Sequence, residues 1–285
     1  MYNLRYHIAS LVAVFLALSV GLLLGTIVVD RGVIEAQRTT LVASIGKSVD
    51  RVTAANQQLR DANASLTEFA TQSAPQLLRY TLAGRTVLVI ADPDAGDTVA
   101  RTTEALRLAG ATPAVVTITG SGLSLGDAKV ADAAMKALGS PPASELETRV
   151  ISELAREWTT SGDGRDLTAA LIGAGGLELQ GLAATDTVDG IALTATYGGA
   201  PDGSALALTR ALTGPGRFGA GVETTKQRTG QAKSAFESGL SGVDDMDSPL
   251  GQVSLVWVLA GRATGSFGTA KGAGAAFPDP LFPKP

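Results

Sequence analysis

Three aspartates lie close together in the stretch GVDDMDSPLG, which runs from residue 242 to residue 251. The carboxylates of Asp244, Asp245 and Asp247 could hold calcium or magnesium, because these hard cations prefer oxygen ligands. However, the stretch lacks the ligand spacing and the glycine of an EF-hand loop, and its oxygen-rich side chains make a poor copper site. The alternative is a loop whose shape the carboxylates hold.

The residues that follow favour this alternative. Ser248 is typical of a helix N-cap and Pro249 of a first helical position, and the apolar run PLGQVSLVWVLAG is typical of a buried helix. Negative charge ahead of a helix also complements its dipole. We therefore predict a helix-entry loop without a metal ion, in which Ser248 contributes more to stability than Asp244.

Side chains suited to covalent catalysis are scarce. The chain has no cysteine, and its one histidine is His7, at the entrance of an apolar N-terminal segment. A Ser-His-Asp or Cys-His pairing therefore cannot form in the rest of the chain. Carboxylate pairs remain, but nothing in the sequence indicates which acids converge. We predict no catalytic residues and a protein that is not an enzyme.

Two loops have features of phosphate-binding sites. GPGRFG, at residues 214–219, matches the letters of a dinucleotide fingerprint, but it follows a predicted helix and precedes a predicted strand, which is the reverse of the required order. DPDAGD, at residues 92–97, follows a strand, but its carboxylates would repel a phosphate, so turn and capping roles explain it better. We predict no nucleotide cofactor. The net charge of −4 also lacks the basic excess of a nucleic-acid binder.

An uncharged segment near the N-terminus is long enough to cross a membrane. It runs from Ile8 to Val29, and a helix of that length reaches about 33 Å. A cleaved signal peptide is the alternative, but its apolar region is shorter and ends at a small-x-small site. We predict an uncleaved single-pass anchor over residues 1–29. The flanking charges are nearly balanced, and we expect the rest of the chain to be extracytoplasmic.

The anchor carries a ridge of small residues at every fourth position, which ends with Ala17, Gly21 and Gly25. Such a face allows two helices to pack closely in lipid. Alanine and glycine are also simply common in membrane helices. The ridge alone therefore favours helix pairing only slightly.

A heptad pattern in residues 30–74 favours pairing more strongly. Its d positions are Ile45, Val52, Leu59 and Leu66, and its a positions are Val42, Val49, Asn56 and Asn63. Asparagine at a positions is typical of parallel dimeric coiled coils, in which it fixes the register. The alternative is one amphipathic helix folded back on the C-terminal domain, since Gly46 and uncharged e and g positions weaken a coiled coil. We predict a parallel homodimer whose helix is interrupted at Pro75.

The sequence from about Arg85 alternates between short apolar runs and amphipathic runs. Thr86 to Ala91 is typical of a buried strand, and a helix that ends at Gly110 separates it from a second strand, TPAVVTIT. VDGIALTAT and RFGAGVET predict further strands. This order predicts an α/β domain over residues 75–268 with a parallel, Rossmann-like or flavodoxin-like sheet. The Gly- and Pro-rich residues 269–285 are expected to form a flexible tail.

Two parts of the chain are distinctive: the start, NLRYHIASLVAVFLALSVGLLLG, and the late GVDDMDSPLGQVSLVWVLAG with its following GSFG. Both resemble the mycobacterial copper transport protein B (MctB) family of actinobacterial envelope proteins. Against the family pattern VDN-VDTPLG, Asp245 replaces an asparagine, Met246 a valine and Ser248 a threonine. The family motif falls on Asp244, Asp245, Asp247, Ser248, Pro249, Leu250 and Gly251.

The resemblance implies an envelope protein with a membrane segment and a role in copper export or copper homeostasis. Other members of the family are associated with a coiled-coil envelope partner in cell separation during division, which is the alternative function. Ligation of Cu(I) requires cysteine, methionine or histidine, and this chain has only Met1, Met135, Met246 and His7. We therefore expect a dimeric scaffold that works with an envelope or division protein and does not bind copper directly.

Overall fold

The computed structural model describes residues 4–28, 32–120, 122–162, 164–197 and 200–278. The chain divides into two units, residues 1–66 and residues 67–285, and each is described by itself. Both ends of the predicted anchor, the first two residues of the predicted coiled coil and the last seven of the predicted tail lie outside the described residues.

The first unit contains helix α1, Leu4–Val28, and most of helix α2, Gly32–Leu78. Apolar residues dominate α1, and two of its hydroxyls bond to the preceding turn: Ser19 Oγ donates to Phe15 O, and Thr26 Oγ1 donates to Leu23 O. The span Leu4–Thr26 is long and apolar enough to cross a membrane, and none of it is buried in protein. Among the described helices it is the one that meets this criterion, which indicates membrane anchoring.

Helix α2 continues through Pro75, and the prediction of an interruption there is wrong. Burial explains the extra turn, because Ala74 and Leu78 both pack into the core of the second unit. The amide of Arg79 donates to the carbonyl of Pro75 and closes this turn. Proline lacks an amide donor, but its own carbonyl remains available to the helix.

The second unit is built on a seven-stranded sheet with the order β3-β2-β1-β4-β7-β8-β9. All neighbouring strands run parallel except β3, which pairs antiparallel with β2 at the edge, and β5 and β6 form a separate antiparallel pair. The strands are β1 Thr86–Ala91, β2 Thr112–Ile118, β3 Leu177–Gln180, β4 Gly190–Leu193, β5 Thr196–Tyr197, β6 Ala200–Pro201, β7 Phe218–Val222, β8 Ser241–Val243 and β9 Ser266–Phe267.

Helices cover both faces of this sheet. They are α3 Gly96–Leu108, α4 Ala128–Ala137, α5 Leu146–Thr159, α6 Asp166–Ala174, α7 Gly203–Leu212, α8 Gln231–Glu237 and α9 Pro249–Leu259. Successive residues of β1 point to opposite faces: Leu88 and Ile90 join one core cluster, whereas Val87 and Val89 join the other. The first cluster packs against α4 to α7, and the second packs against α3, α9 and the end of α2.

The predicted α/β class and the predicted strands β1, β2, β4 and β7 are confirmed. The sequence did not indicate the antiparallel edge strand β3 or the short strands β8 and β9. Part of the expected tail contacts the sheet, since the amides of Gly274 and Ala275 donate to the carbonyl of Ser266 on β9.

Candidate functional site

Acidic residues gather where the parallel strands end. Asp92 follows β1, Glu223 follows β7 and Asp244 follows β8, so that all three lie at the carboxyl edge of the sheet. The strand order reverses between β1 and β4, and in open α/β sheets ligands bind at this edge, beside such a reversal. The carboxyl edge, which includes the GVDDMDSPLG loop, is therefore the candidate site.

The crevice at the reversal is filled by the protein itself. Its polar lining comes from Asp92, Thr98, Thr194, Thr196, Glu223, Gln227 and Thr229, and only about 10 Å³ of free space remains. Asp92 accepts hydrogen bonds from the amide and hydroxyl of Thr196 and from the amide of Asp94. These contacts give Asp92 the turn role that its sequence context indicated. The space left is about that of one water molecule, too small for a nucleotide.

Asp244 ties the end of β8 to the segment after β9. Its Oδ1 accepts hydrogen bonds from the amides of Thr269 and Ala270, at 2.8 and 2.9 Å, and the residue is 3 % exposed. Arg228 lies 3.8 Å from the same oxygen. The carboxylate thus satisfies two backbone donors of the segment after β9, through hydrogen bonds that are partly buried.

Asp245 and Ser248 together cap helix α9. Ser248 Oγ accepts from the amide of Gly251 at 2.9 Å and donates to Asp245 Oδ2 at 2.7 Å, so Ser248 is the predicted N-cap. Pro249 opens the helix as expected. Asp245 Oδ1 has no hydrogen-bond partner among the described residues, and burial raises the pKa of this carboxyl. Met246, between the aspartates, is completely buried in the core.

Asp247 binds a different loop. Its carboxylate accepts from the amide of Thr225 at 2.8 Å and from the hydroxyl of the same residue, on the loop after β7. Burial alone would raise the pKa of Asp247, but the hydrogen bonds from Thr225 outweigh it and lower the pKa. The three aspartates of the motif thus have three separate partners. Within the described residues, no three His, Asp or Glu side chains are placed to share a metal ion.

Glu223 is a buried acid of this edge that the sequence analysis did not single out. Its Oε2 accepts from the amides of Thr229, Gly230 and Gln231, which lead into helix α8. Burial raises the pKa of Glu223, although these amides oppose the shift. The sequence does show a glutamate at the end of an apolar strand, which could have marked Glu223 as a candidate site residue. Its hydrogen-bond partners could not be predicted, because they lie on a loop whose path the sequence does not specify.

The predicted pairing residues lie on exposed surfaces of the first unit. On α1, a Cβ atom added to Gly21 or Gly25 would meet nothing within 4 Å, and the neighbouring ridge residue Ala17 is exposed. On α2 the apolar a and d residues are between 55 and 66 % exposed, and Asn56 and Asn63 are exposed between them. The exposed apolar a and d residues are Val42, Ile45, Val49, Val52, Leu59 and Leu66.

The thioethers of the second unit do not meet. Met135 packs against the core cluster on one face of the sheet, and Met246 lies in the cluster on the other face. His7 lies on α1, in the first unit.

Comparison with known proteins identifies the family. Residues 1–278 match the family described as "Copper transport outer membrane protein, MctB". The chain belongs to the MctB family. It is 26 % identical to the copper transporter MctB of Mycobacterium bovis (strain ATCC BAA-935 / AF2122/97) over 310 aligned residues, which cover 96 % of this chain and 98 % of that protein.

The copper transporters MctB of two Mycobacterium tuberculosis strains, CDC 1551 / Oshkosh and ATCC 25618 / H37Rv, give the same identity and coverage. No solved structure gives a significant match. The resemblance to the MctB family noted in the sequence is therefore confirmed, and the match covers both units of the chain.

The contacts of the motif change which substitution is expected to destabilise the protein more, one at Ser248 or one at Asp244. Ser248→Ala removes one N-cap and should cost about 1 to 2 kcal/mol. Asp244→Ala should cost more, about 2 to 3 kcal/mol, because two partly buried amides lose a charged acceptor at once. Urea unfolding followed by tryptophan fluorescence measures both costs in the second unit, because Trp158 and Trp257, the only tryptophans, are both buried there.

The same unfolding experiment separates capping from cation binding. If the carboxylates have only the roles seen here, calcium and a chelator should give identical unfolding curves. A calcium-dependent stabilisation that Asp244→Ala abolishes would instead indicate a divalent-cation site, because a ligand that binds only the folded state stabilises it.

Proposed function

We propose that this MctB-family protein is a non-enzymatic, membrane-anchored scaffold of the cell envelope that acts in copper homeostasis as a dimer. The observation that carries the proposal is the apolar stripe of α2, in which the large a and d side chains are all more than half exposed. A long helix with such a stripe is stable in water when a second apolar face covers it. The heptad spacing of the stripe favours another copy of α2 as that face.

The proposed organisation keeps the boundaries drawn from the sequence. Residues 1–29 form the anchor, residues 30–74 the dimeric helix, residues 75–268 the α/β domain and residues 269–285 the tail. The continuation of α2 to Leu78 supports a direct helical entry into the α/β domain. The body of the chain lies outside the cytoplasmic membrane, which the apolar helix of membrane-spanning length near the N-terminus and the envelope setting of the family support.

The proposed link to copper rests on the names of the family and its relatives. The chemistry of this chain favours an indirect role in copper homeostasis. Cu(I) favours soft ligands, and Met135 and Met246 lie on opposite faces of the sheet. Met246 is completely buried among apolar side chains. In the proposed role, the protein therefore supports copper handling by partner proteins and does not pass the ion along its own side chains.

A complementation experiment distinguishes the scaffold from direct copper handling. We expect a deletion strain to become copper-sensitive and to recover with the wild-type chain or with Met135→Leu/Met246→Leu, because this exchange conserves core volume and removes only the sulfur ligands. Val49→Asp/Leu59→Asp, which places charges in the stripe, should not restore growth. A folded double-leucine variant that fails to complement would make direct copper ligation the better explanation.

Scaffolding of cell separation is the second candidate function. The separation of the soft ligands favours it, because a scaffold for division proteins requires no metal-binding side chains. Chaining of the same deletion strain, scored by microscopy, tests this role. Copper sensitivity without chaining would exclude this role, whereas chaining with normal copper tolerance would replace copper homeostasis as the function.

A further inference from the structure

One corner of the second unit concentrates positive charge. The chain segments that end α2, α3 and α9, at residues 76–85, 105–111 and 257–264, contain four arginines and no lysine. Two acids flank these segments: Glu104 is exposed one turn before Arg107, and Asp189 accepts from the amide of Thr86, so arginines still outnumber acids. The chain as a whole has a net charge of −4. The positive charge of this corner is therefore a local feature rather than a reflection of overall composition.

Hydrogen bonds join the three segments into one surface. The amide of Leu82, in the loop after α2, donates to the carbonyl of Ala109 at the end of α3. Arg85 Nη1 donates to the carbonyl of Leu259 at the end of α9, at 2.8 Å. Of the four arginines, Arg85 is thus engaged inside the structure and holds the segments together. The other three, Arg79, Arg107 and Arg262, are exposed.

We call the exposed side chains Arg79, Tyr80, Arg107, Leu108 and Arg262 the basic corner. None of its arginines forms an ion pair with any residue that the structure describes. Arginines at helix C-termini complement the helix dipole, which accounts for part of this placement. The dipole does not account for the two apolar side chains that the corner presents to solvent.

Tyr80 is the most unusual of these side chains. It has a φ of 63°, a conformation that costs energy for a residue other than glycine, and it is 68 % exposed. The guanidinium of Arg79 lies 5.1 Å from the centre of its ring. Leu108 is 41 % exposed on the adjoining helix. Exposed tyrosine and arginine beside an apolar side chain are the residue types that contribute most to protein–protein interfaces.

We propose that the basic corner binds an acidic segment of a partner protein. Carboxylates of the partner pair with the guanidiniums of Arg79, Arg107 and Arg262, and an apolar side chain of the same segment packs against Tyr80 and Leu108. This site lies entirely within the second unit and is independent of whether α2 forms a dimer.

Two observations favour a protein segment over an anionic membrane surface. First, a chain with a net negative charge is repelled by an extended anionic surface, whereas a short acidic segment feels mainly the local field of the corner. Second, the corner uses arginine without lysine, and the planar guanidinium forms the bidentate pairs that carboxylates accept.

Fluorescence anisotropy with the purified full chain in detergent tests the proposal. The probe is a dye-labelled, glutamate-rich peptide with interspersed leucines, and its reference is the same peptide with glutamine in place of every glutamate. We expect the acidic peptide to bind at least about tenfold more tightly than the glutamine peptide, and the difference to shrink as salt is added.

A matched pair of variants assigns the binding to the corner. Arg79→Gln/Arg107→Gln/Arg262→Gln should weaken peptide binding at least about tenfold. Lys129→Gln/Lys136→Gln/Lys233→Gln removes the same charge from exposed positions elsewhere and should leave binding unchanged. Absence of peptide binding, or equal losses in the two variants, would overturn the proposal. Binding to phosphatidylglycerol vesicles but not to the acidic peptide would overturn it in favour of a lipid-binding surface.

Discussion

Val49→Asp/Leu59→Asp should convert the protein from a dimer into a monomer. The two side chains are 57 and 62 % exposed on α2 and occupy an a and a d position of its heptads. If they pack across a seam, each contributes about 1.5 to 3 kcal/mol per copy through burial, and a buried aspartate adds a further penalty. Light scattering of the detergent-solubilised chain measures the change in mass.

Ala54→Asp/Gln58→Asp is the control for this effect. It places the same two charges on the same helix, but at positions outside the a and d series, and it should remain dimeric. A dimer that persists in Val49→Asp/Leu59→Asp would contradict the coiled coil and would assign pairing to another surface, such as the small-residue ridge of α1. Equal loss of the dimer in both variants would indicate a general loss of helix stability instead.

Single cysteines give the orientation of the pair and the topology of the chain, because the natural sequence contains no cysteine. Asn56→Cys should form a disulfide with its own copy under mild oxidation, since a positions face each other in a parallel dimer. Ser44→Cys, at an exposed position outside the a and d series, should react with a membrane-impermeant maleimide in intact cells. Labelling only after lysis would place α2 in the cytoplasm and leave the dimer untouched.

The elements that the sequence predicted are those with strong local signals. The strand at Thr86–Ala91 is a continuous apolar run, and Ser248 and Pro249 are the residue types preferred at the start of a helix. Neither signal depends on the rest of the molecule. Both could therefore be interpreted without knowledge of what packs against them.

The elements that the sequence analysis did not predict depend on partners that are distant in sequence. Strands β8 and β9 are three and two residues long, and they pair with strands far away in sequence. The role of Asp244 depends on amides about 25 positions later, and Asp247 binds Thr225, 22 positions earlier. The sequence analysis predicted that the acids shape a loop, and the fold gives each carboxylate its own hydrogen-bond donors. The spacing of residues along the sequence does not indicate these long-range contacts.

Gly251→Ala should destabilise the α/β domain more than any other single substitution considered, by about 3 kcal/mol or more. A Cβ atom at this position would lie 2.2 Å from the carbonyl oxygen of Asp245 and 2.6 Å from its Oδ1. The first of these atoms is backbone and belongs to the loop that Ser248 ties to α9, so it cannot move without disrupting the cap. The final glycine of the family motif is thus required by close approach of two backbone segments.

Gly203→Ala is the matched control, because Gly203 also lies in the first turn of a helix of this domain and an added Cβ there would meet nothing within 4 Å. Alanine is favoured over glycine in helices by up to about 1 kcal/mol, so this variant should be as stable as the wild type or slightly more stable. Urea unfolding followed through the two buried tryptophans compares both variants with the wild type. If Gly251→Ala unfolds at the same urea concentration as Gly203→Ala, then the loop can shift to admit a side chain, and the rigid helix entry inferred for the motif is wrong.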